Sequence, residues 1–258
     1  MKLQIVSDMH LELENNHSFY NHCKPLAPVL IVAGDLCYWG DCPLDDNDKY
    51  RREEEKFFKW TEGKWNKVIR VLGNHDFWHN TIHEDLCISD GHMLTVNNRS
   101  FEYNGINFIC STLWGEIPEP TRIRLSCCMD FQKIYNFTPA KFTESGILAK
   151  NFVKKAVAES DKKSVIISHH LPSWLLVDDE FKSHGDGNYI FATSLDDFII
   201  DNSDKIQCWI HGHSHTFRDE IIHGVRMIRN PYGYYHERCS NSLAPERKFQ
   251  KDFVIEVN

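Results

Sequence analysis

The chain has 258 residues, 41% apolar and 26% charged, an ordinary globular balance with material for a substantial core. Its 29 basic and 37 acidic residues leave a formal charge of −8, which argues against a broad electrostatic grip on nucleic acid, and no apolar run has the length of a membrane span. Nine cysteines without paired CxxC spacing give no support to zinc-finger chemistry and read as buried or idle thiols, the adjacent Cys127-Cys128 included.

Strand pattern begins at Leu3–Val6, and Asp8-Met9-His10 follows at once. That leaves no room for a basic stretch, an apolar stretch and a cleavage site, so the expectation is a cytoplasmic protein. Val29–Ala33 is the next apolar run, ending in Gly34-Asp35. Leu36–Asn47 reads as a loop insertion, and the four Asp residues at 41–48 as a solvated approach to a helix N-terminus rather than a cation site. Asp48–Trp65 has helical spacing, with Phe57, Phe58 and Trp60 beside the solvated run Arg51–Lys56. Val68–Leu72 leads into Gly73-Asn74-His75-Asp76, and Ile106–Cys110 is a further strand. Gly115–Thr138 reads as a second, irregular insertion, and Thr143–Glu159 as a helix. Val165–Ile167 runs into Ser168-His169-His170, and Cys208–Ile210 into His211-Gly212-His213-Ser214-His215. Val225–Ile228 and Phe253–Val257 complete the strands. Short Val/Ile-rich runs alternating with helices predict a layered α/β fold, a single domain over residues 1–258.

Ligands of α/β sheets bind beyond the carboxyl ends of the strands, and five of these strands end in clusters of carboxylate, imidazole or amide. Each cluster alone is weak: an Asp-x-His triplet recurs by chance, and Asp35 could be a helix cap. Together they are not, because burying so many ionisable groups unpaired is costly. A metal site is the economical explanation.

The series Asp8-x-His10, Gly34-Asp35, Gly73-Asn74-His75-Asp76, His169 and Gly212-His213-x-His215 resembles the calcineurin-like metallophosphoesterase superfamily, and Thr112–Trp114, Met129–Phe131, His169–Ser173 and Asn230–Tyr234 are similar to signatures of its small bacterial and phage members. The resemblance implies an αββα sandwich and a dinuclear-metal phosphoester hydrolase. Asp8, His10, Asp35 and His215 would hold one ion. Asp35, Asn74, His169 and His213 would hold the other, with Asp35 bridging. Oxygen and nitrogen donors suit Mn, Fe or Zn. His170 and His211 are expected to stand outside the ligand set.

The implied mechanism is attack by a metal-bridging hydroxide, with His75 at the leaving-group oxygen. Asp76 either orients His75 or caps the next helix. The protein Ser/Thr phosphatases carry G-D-x-x-D-R-G, whereas this chain reads Gly34-Asp35-Leu36-Cys37-Tyr38-Trp39-Gly40. The missing Asp and Arg favour phosphodiesterase-like branches. Tyr38, Trp39, Phe77, Trp78, Trp114, Trp174 and Phe217 lie near the motifs and offer stacking surfaces for a nucleobase, although most are expected to pack in the core or at its rim. A small phosphoester or nucleotide is the expected substrate. A nuclease of the same superfamily is the alternative, and a non-catalytic metal-binding scaffold a distant third.

Overall fold

The computed structural model describes residues 1–40, 49–240 and 244–258. The first part of the chain forms β1 (Lys2–Val6), β2 (Val29–Ala33), β3 (Lys67–Val71), β4 (Leu86–Asp90) and β5 (Met93–Asn97). The second forms β6 (Arg99–Tyr103), β7 (Ile106–Ser111), β8 (Ser164–Ser168), β9 (Ile206–Ile210), β10 (Arg218–Ile222) and β11 (Val225–Arg229), and β12 (Val254–Glu256) returns to the first sheet. The two sheets have the orders β12-β1-β2-β3-β5-β4 and β10-β11-β9-β8-β7-β6. The pairings β1–β2, β2–β3 and β3–β5 are parallel, as are β7–β8, β8–β9 and β9–β11; antiparallel strands close the edges.

Strand periodicity explains the layering. Leu3, Ile5, Ile31, Ile69 and Val71 face Phe108, Val165, Ile167 and Ile210 across the space between the sheets. Alternate residues point outward: Leu30, Val32 and Val68 pack with Phe57 of the Lys49–Thr61 helix, and Ile109, Ile166 and Trp209 with Val153 and Val157 of the Pro139–Glu159 helix. Strands covered on both faces carry apolar side chains on both of them, which is why these runs are nearly continuous; Gln4 of β1 and Arg70 of β3 are buried polar exceptions. The result is the αββα sandwich.

Boundaries move for local reasons. The Pro139–Glu159 helix starts four residues before the expected Thr143, because Thr138 caps Lys141 N at 3.2 Å and Pro139 occupies the first turn. The expected helix to Trp65 stops at Thr61, where Gly63 turns the chain at φ +70°. β4, β5, β6 and β10 have no counterpart among the expected strands. β4, β6 and β10 are edge strands with a polar, solvent-facing side, and Thr95 and Asn97 interrupt β5. The insertion at 115–138 contains two short helices, Glu119–Leu125 and Met129–Lys133. The Asp cluster of the other insertion, at 41–48, lies outside the described residues. No helix among the described residues is long and apolar enough to cross a membrane.

Candidate metal centre

β1, β2, β3, β8 and β9 deliver their terminal loops to one place. Asp35 sits at its centre. Its Oδ2 lies 3.4 Å from His169 Nε2 and 3.8 Å from His10 Nε2. His10 Nε2 is 3.2 Å from His215 Nε2, which is 3.6 Å from Asp8 Oδ1. On the other side, His169 Nε2 is 2.9 Å from Asn74 Oδ1 and 3.2 Å from His213 Nδ1. Asp8, His10 and His215 form one group able to hold a cation, and Asp35, His169 and His213 another; His10, Asp35 and His75 form a third. All seven residues expected to be ligands are therefore gathered, with an Asp35 oxygen between the two sides.

The backbone is bent to achieve this. Asp8, His10, Asp35 and His213 adopt left-handed φ of 51°, 46°, 54° and 70°. Such conformations cost about 1–3 kcal/mol each for non-glycine residues and concentrate at functional sites. They end the extended run of β1 and turn the loop that follows it, which carries Asp8 and His10 into the centre. Glycine is required where the loops meet: a Cβ on Gly73 would lie 2.2 Å from Asp35 Oδ1.

Three of the four candidate-ligand imidazoles are held from behind. His10 Nδ1 is 3.1 Å from Glu12 Oε1, His215 Nδ1 is 2.7 Å from Glu237 Oε2, and His169 Nδ1 is 3.0 Å from Ala33 O. Asn74 Nδ2 donates to Asp130 Oδ1 at 2.9 Å, leaving Oδ1 of Asn74 toward the centre. This is the usual arrangement behind metal ligands, whose distal atoms are fixed by hydrogen bonds.

The electrostatics fit a cation. Burial alone would raise the Asp35 carboxyl, but His169, His75 and His10 hold it well below the usual range. Burial would depress the imidazoles, yet Asp35 pushes His169 up to about 9, and Glu237 and Asp8 raise His215. At these two rings the carboxylates outweigh desolvation, whereas burial, His170 and His169 hold His213 well below the usual imidazole value. His213 Nε2 has no protein partner. The donor set of carboxylate, imidazole and amide oxygen accommodates Mn, Fe or Zn.

His75 sits at the rim, partly open to a cleft of about 810 Å³. Its Nδ1 is 3.3 Å from Glu12 Oε1, its Nε2 is 3.3 Å from Tyr234 OH, and Trp78 stacks on its ring at 3.7 Å. The expectation that Asp76 orients His75 is corrected: the carboxylate at His75 is Glu12. Asp76 instead accepts from Arg70 Nη2 at 2.7 Å, Gly73 N at 2.6 Å and Asp35 N at 2.9 Å. It braces the two loops together, and neither caps a following helix nor faces the cleft.

His170 turns to Thr112 O, 3.0 Å from Nδ1, and packs against Trp114; burial and the charge of His169 push it down to about 3. His211 is buried with Nδ1 at 3.3 Å from Gly212 O, and neither histidine joins the three groups. Of the seven aromatics expected near the motifs, Trp78 alone lines the cleft; Phe77 and Trp114 are core. The other walls come from Met129 and from Phe181, Ile190 and Phe191 of the β8–β9 connection. Glu12, Asp130, Tyr234 and Glu237 were not foreseen as part of the site. Asp130 and Tyr234 sit within sequence signatures noted above, and Glu12 stands two residues beyond His10, so a signal existed for three of the four.

A family model described as calcineurin-like phosphoesterase matches residues 1–217. This chain belongs to the calcineurin-like phosphoesterases. As a member of that family it is expected to be a hydrolase of phosphoesters, and its clustered His and Asp residues match the metal-binding character of the group. Among curated proteins, the phosphoesterase is 24% identical over 262 residues to uncharacterized protein L509 of Acanthamoeba polyphaga mimivirus, covering 92% of each. Among solved structures, phosphopantetheinyl hydrolase (PptH) from Mycobacterium tuberculosis aligns with TM-score 0.64 at 18% identity, over 96% of this chain and 94% of that one. TT1561 of Thermus thermophilus aligns with TM-score 0.51 at 12% identity, over 89% and 88%. At these identities the structures share the fold.

Proposed function

We propose that this phosphoesterase is a phosphodiesterase-like hydrolase with two metal ions, one held by Asp8, His10, Asp35 and His215, the other by Asp35, Asn74, His169 and His213. The observation that carries this reading is the Asp35 carboxylate oxygen between two donor groups, beside an open cleft. Bound there, two ions supply Lewis acidity toward a phosphoryl oxygen and lower the pKa of water. The chain's own residues supply the rest. His75, held at Nδ1 by Glu12 and on its face by Trp78, presents Nε2 to the leaving-group oxygen and protonates it, typically a ~10²–10⁴-fold contribution.

The cleft supports a diester over a monoester. No Lys or Arg stands among its described lining residues, while Trp78, Met129, Phe181, Ile190 and Phe191 form apolar walls. A monoester dianion wants an extra cation, whereas a diester carries one charge fewer and a second organic group for the walls. The acidic surface, at −8, favours a small phosphoester or nucleotide over a nucleic acid. One structural neighbour is named for hydrolysing a phosphopantetheinyl group, which adds that substrate to the panel. We read the chain as one unit, since both sheets build the same cleft, and place it in the cytoplasm, in keeping with free thiols at every described cysteine.

The test is the ratio of kcat/KM for bis(p-nitrophenyl) phosphate to that for p-nitrophenyl phosphate, on protein stripped of metal and reloaded with Mn²⁺. A ratio well above one is expected, with no turnover in the stripped protein. A ratio below one moves the substrate to monoesters. Absence of turnover on any phosphoester, with both ions bound, favours the scaffold.

A further inference from the structure

Glu12 is a buried carboxylate in contact with both a candidate metal ligand, His10, and the proposed acid, His75. Its side chain is 3% exposed, and its Oε1 lies 3.1 Å from His10 Nδ1 and 3.3 Å from His75 Nδ1, so a single oxygen serves two rings. An ionised carboxylate only accepts, so both Nδ1 atoms carry their protons. The two rings are thereby set for different duties. The Nε2 lone pair of His10 faces His215 Nε2 and Asp35, within the donor group. Nε2 of His75 points to Tyr234 OH in the cleft, and Trp78 stacked on the ring fixes its plane.

Resting on the hydrolase reading above, we infer that Glu12 is a positioning residue that acts through His75, holding it in the form able to give its Nε2 proton to the leaving group, while keeping Nε2 of His10 free for a cation. When the phosphorus–oxygen bond breaks, its electron pair stays with the leaving oxygen and the Nε2 proton moves onto it. His75 is left neutral with Nδ1–H still on Glu12, so the ring cannot flip to the unproductive tautomer before water reprotonates Nε2. The orientation of the acid and the lone pair of a metal ligand therefore depend on one oxygen atom.

Glu12→Gln tests this in Mn²⁺-loaded protein, with bound metal counted and diesters of alkoxide and p-nitrophenoxide leaving groups compared. The expected result, read at Mn²⁺ concentrations that fill both sites in spite of weaker binding at His10, is a ~10–100-fold fall in kcat for the alkyl ester and at most a ~3-fold fall for the p-nitrophenyl ester, which departs without an acid. In a His75→Ala background the same substitution should add little. Equal losses on both esters, or an undiminished loss in the His75→Ala background, overturn the inference and place Glu12 behind His10 alone. Should Glu12→Gln fail to fold, Glu12→Asp, one methylene too short to span both rings, carries the same expectations. A readout independent of turnover is the nitrogen NMR of ¹⁵N-histidine in Zn²⁺-loaded protein: His75 should be protonated at Nδ1 in the wild type and a tautomer mixture in Glu12→Gln. A bare Nδ1 in the wild type overturns the proposal. If no phosphoester is cleaved by the wild type, the hydrolase reading fails, and the NMR result still decides the role of Glu12.

Discussion

At the scale of single residues, side chains that touch no substrate decide whether the ligands point correctly. Asp130 accepts from Asn74 Nδ2 at 2.9 Å and from Trp78 Nε1 at 2.8 Å, so it fixes one expected ligand and the ring stacked on His75. Asp130→Ala should weaken binding of the more labile ion ~10–100-fold, read by titration of Mn²⁺ into stripped protein. His75→Ala should leave both ions in place and lower kcat ~10²–10⁴-fold on alkyl diesters, with metal content measured alongside. Loss of an ion in that variant would make His75 a ligand. Metal affinity should also depend on pH in a stated direction. His169 is held protonated up to about 9 by Asp35, and His215 is raised as well, so protons compete with the ion below that range. Apparent affinity should rise with pH by about tenfold per unit for each proton displaced between neutrality and pH 9. A flat profile would mean that neither histidine gives up a proton on binding.

At the scale of elements, the loops after β2 and β3 form a unit. Asp76, paired with Arg70, accepts from the backbone of both Asp35 and Gly73, and Gly73 permits the close approach of Asp35. Gly73→Ala places a methyl inside the Asp35 carboxylate. It should lower Mn²⁺ affinity and thermal stability together, without the leaving-group dependence expected of Glu12→Gln. Retention of wild-type affinity would show that the loops yield more than their contacts suggest. Left-handed φ at Asp8, His10, Asp35 and His213 belongs to the same unit: local preference is overruled by the bonds that follow, such as Asp8 Oδ1 accepting from His213 N at 2.8 Å.

At the scale of the whole molecule, one buried carboxylate ties the cleft wall to the second sheet. Asp178 starts the segment that carries Glu180 and Phe181 into the cleft, and it accepts from Arg229 of β11 at 3.1 Å, Arg218 of β10 at 2.8 Å and Thr216 at 2.7 Å. Burial would raise its pKa, but Arg229, Thr216 and Arg218 bring it below the ordinary carboxylate value. A depressed folded-state pKa contributes stability that is present above the unfolded value of about 3.9 and is lost as pH falls through the folded value. Asp178→Asn should therefore cost about 3–5 kcal/mol at neutral pH, by leaving the Arg229 charge unpaired, and lose less than the wild type on acidification below about pH 4. Denaturant unfolding at pH 7 and pH 3 measures both. An equal cost at the two pH values would assign the effect to packing.

What the sequence by itself determined is the part written in local pattern. Parallel strands covered on both faces are apolar on both, so β1, β2, β3, β7, β8, β9 and β11 were legible as largely apolar runs, and the ligand-type residues stood out because they follow those runs directly. Edge strands such as β4 and β10 were not, since a solvent-facing side removes the pattern. Tertiary structure alone decided which carboxylate serves which imidazole. Along the chain Asp76, its neighbour, is the expected partner of His75, while Glu12 stands 63 residues away. Yet Arg70 and the amides of Gly73 and Asp35 draw Asp76 inward, while the left-handed turn at His10 brings Glu12 to the ring. The cleft walls were decided in the same way, by connections far apart in sequence. Hydrogen bonds and burial are satisfied in space, and sequence proximity does not constrain which of several competing groups satisfies them.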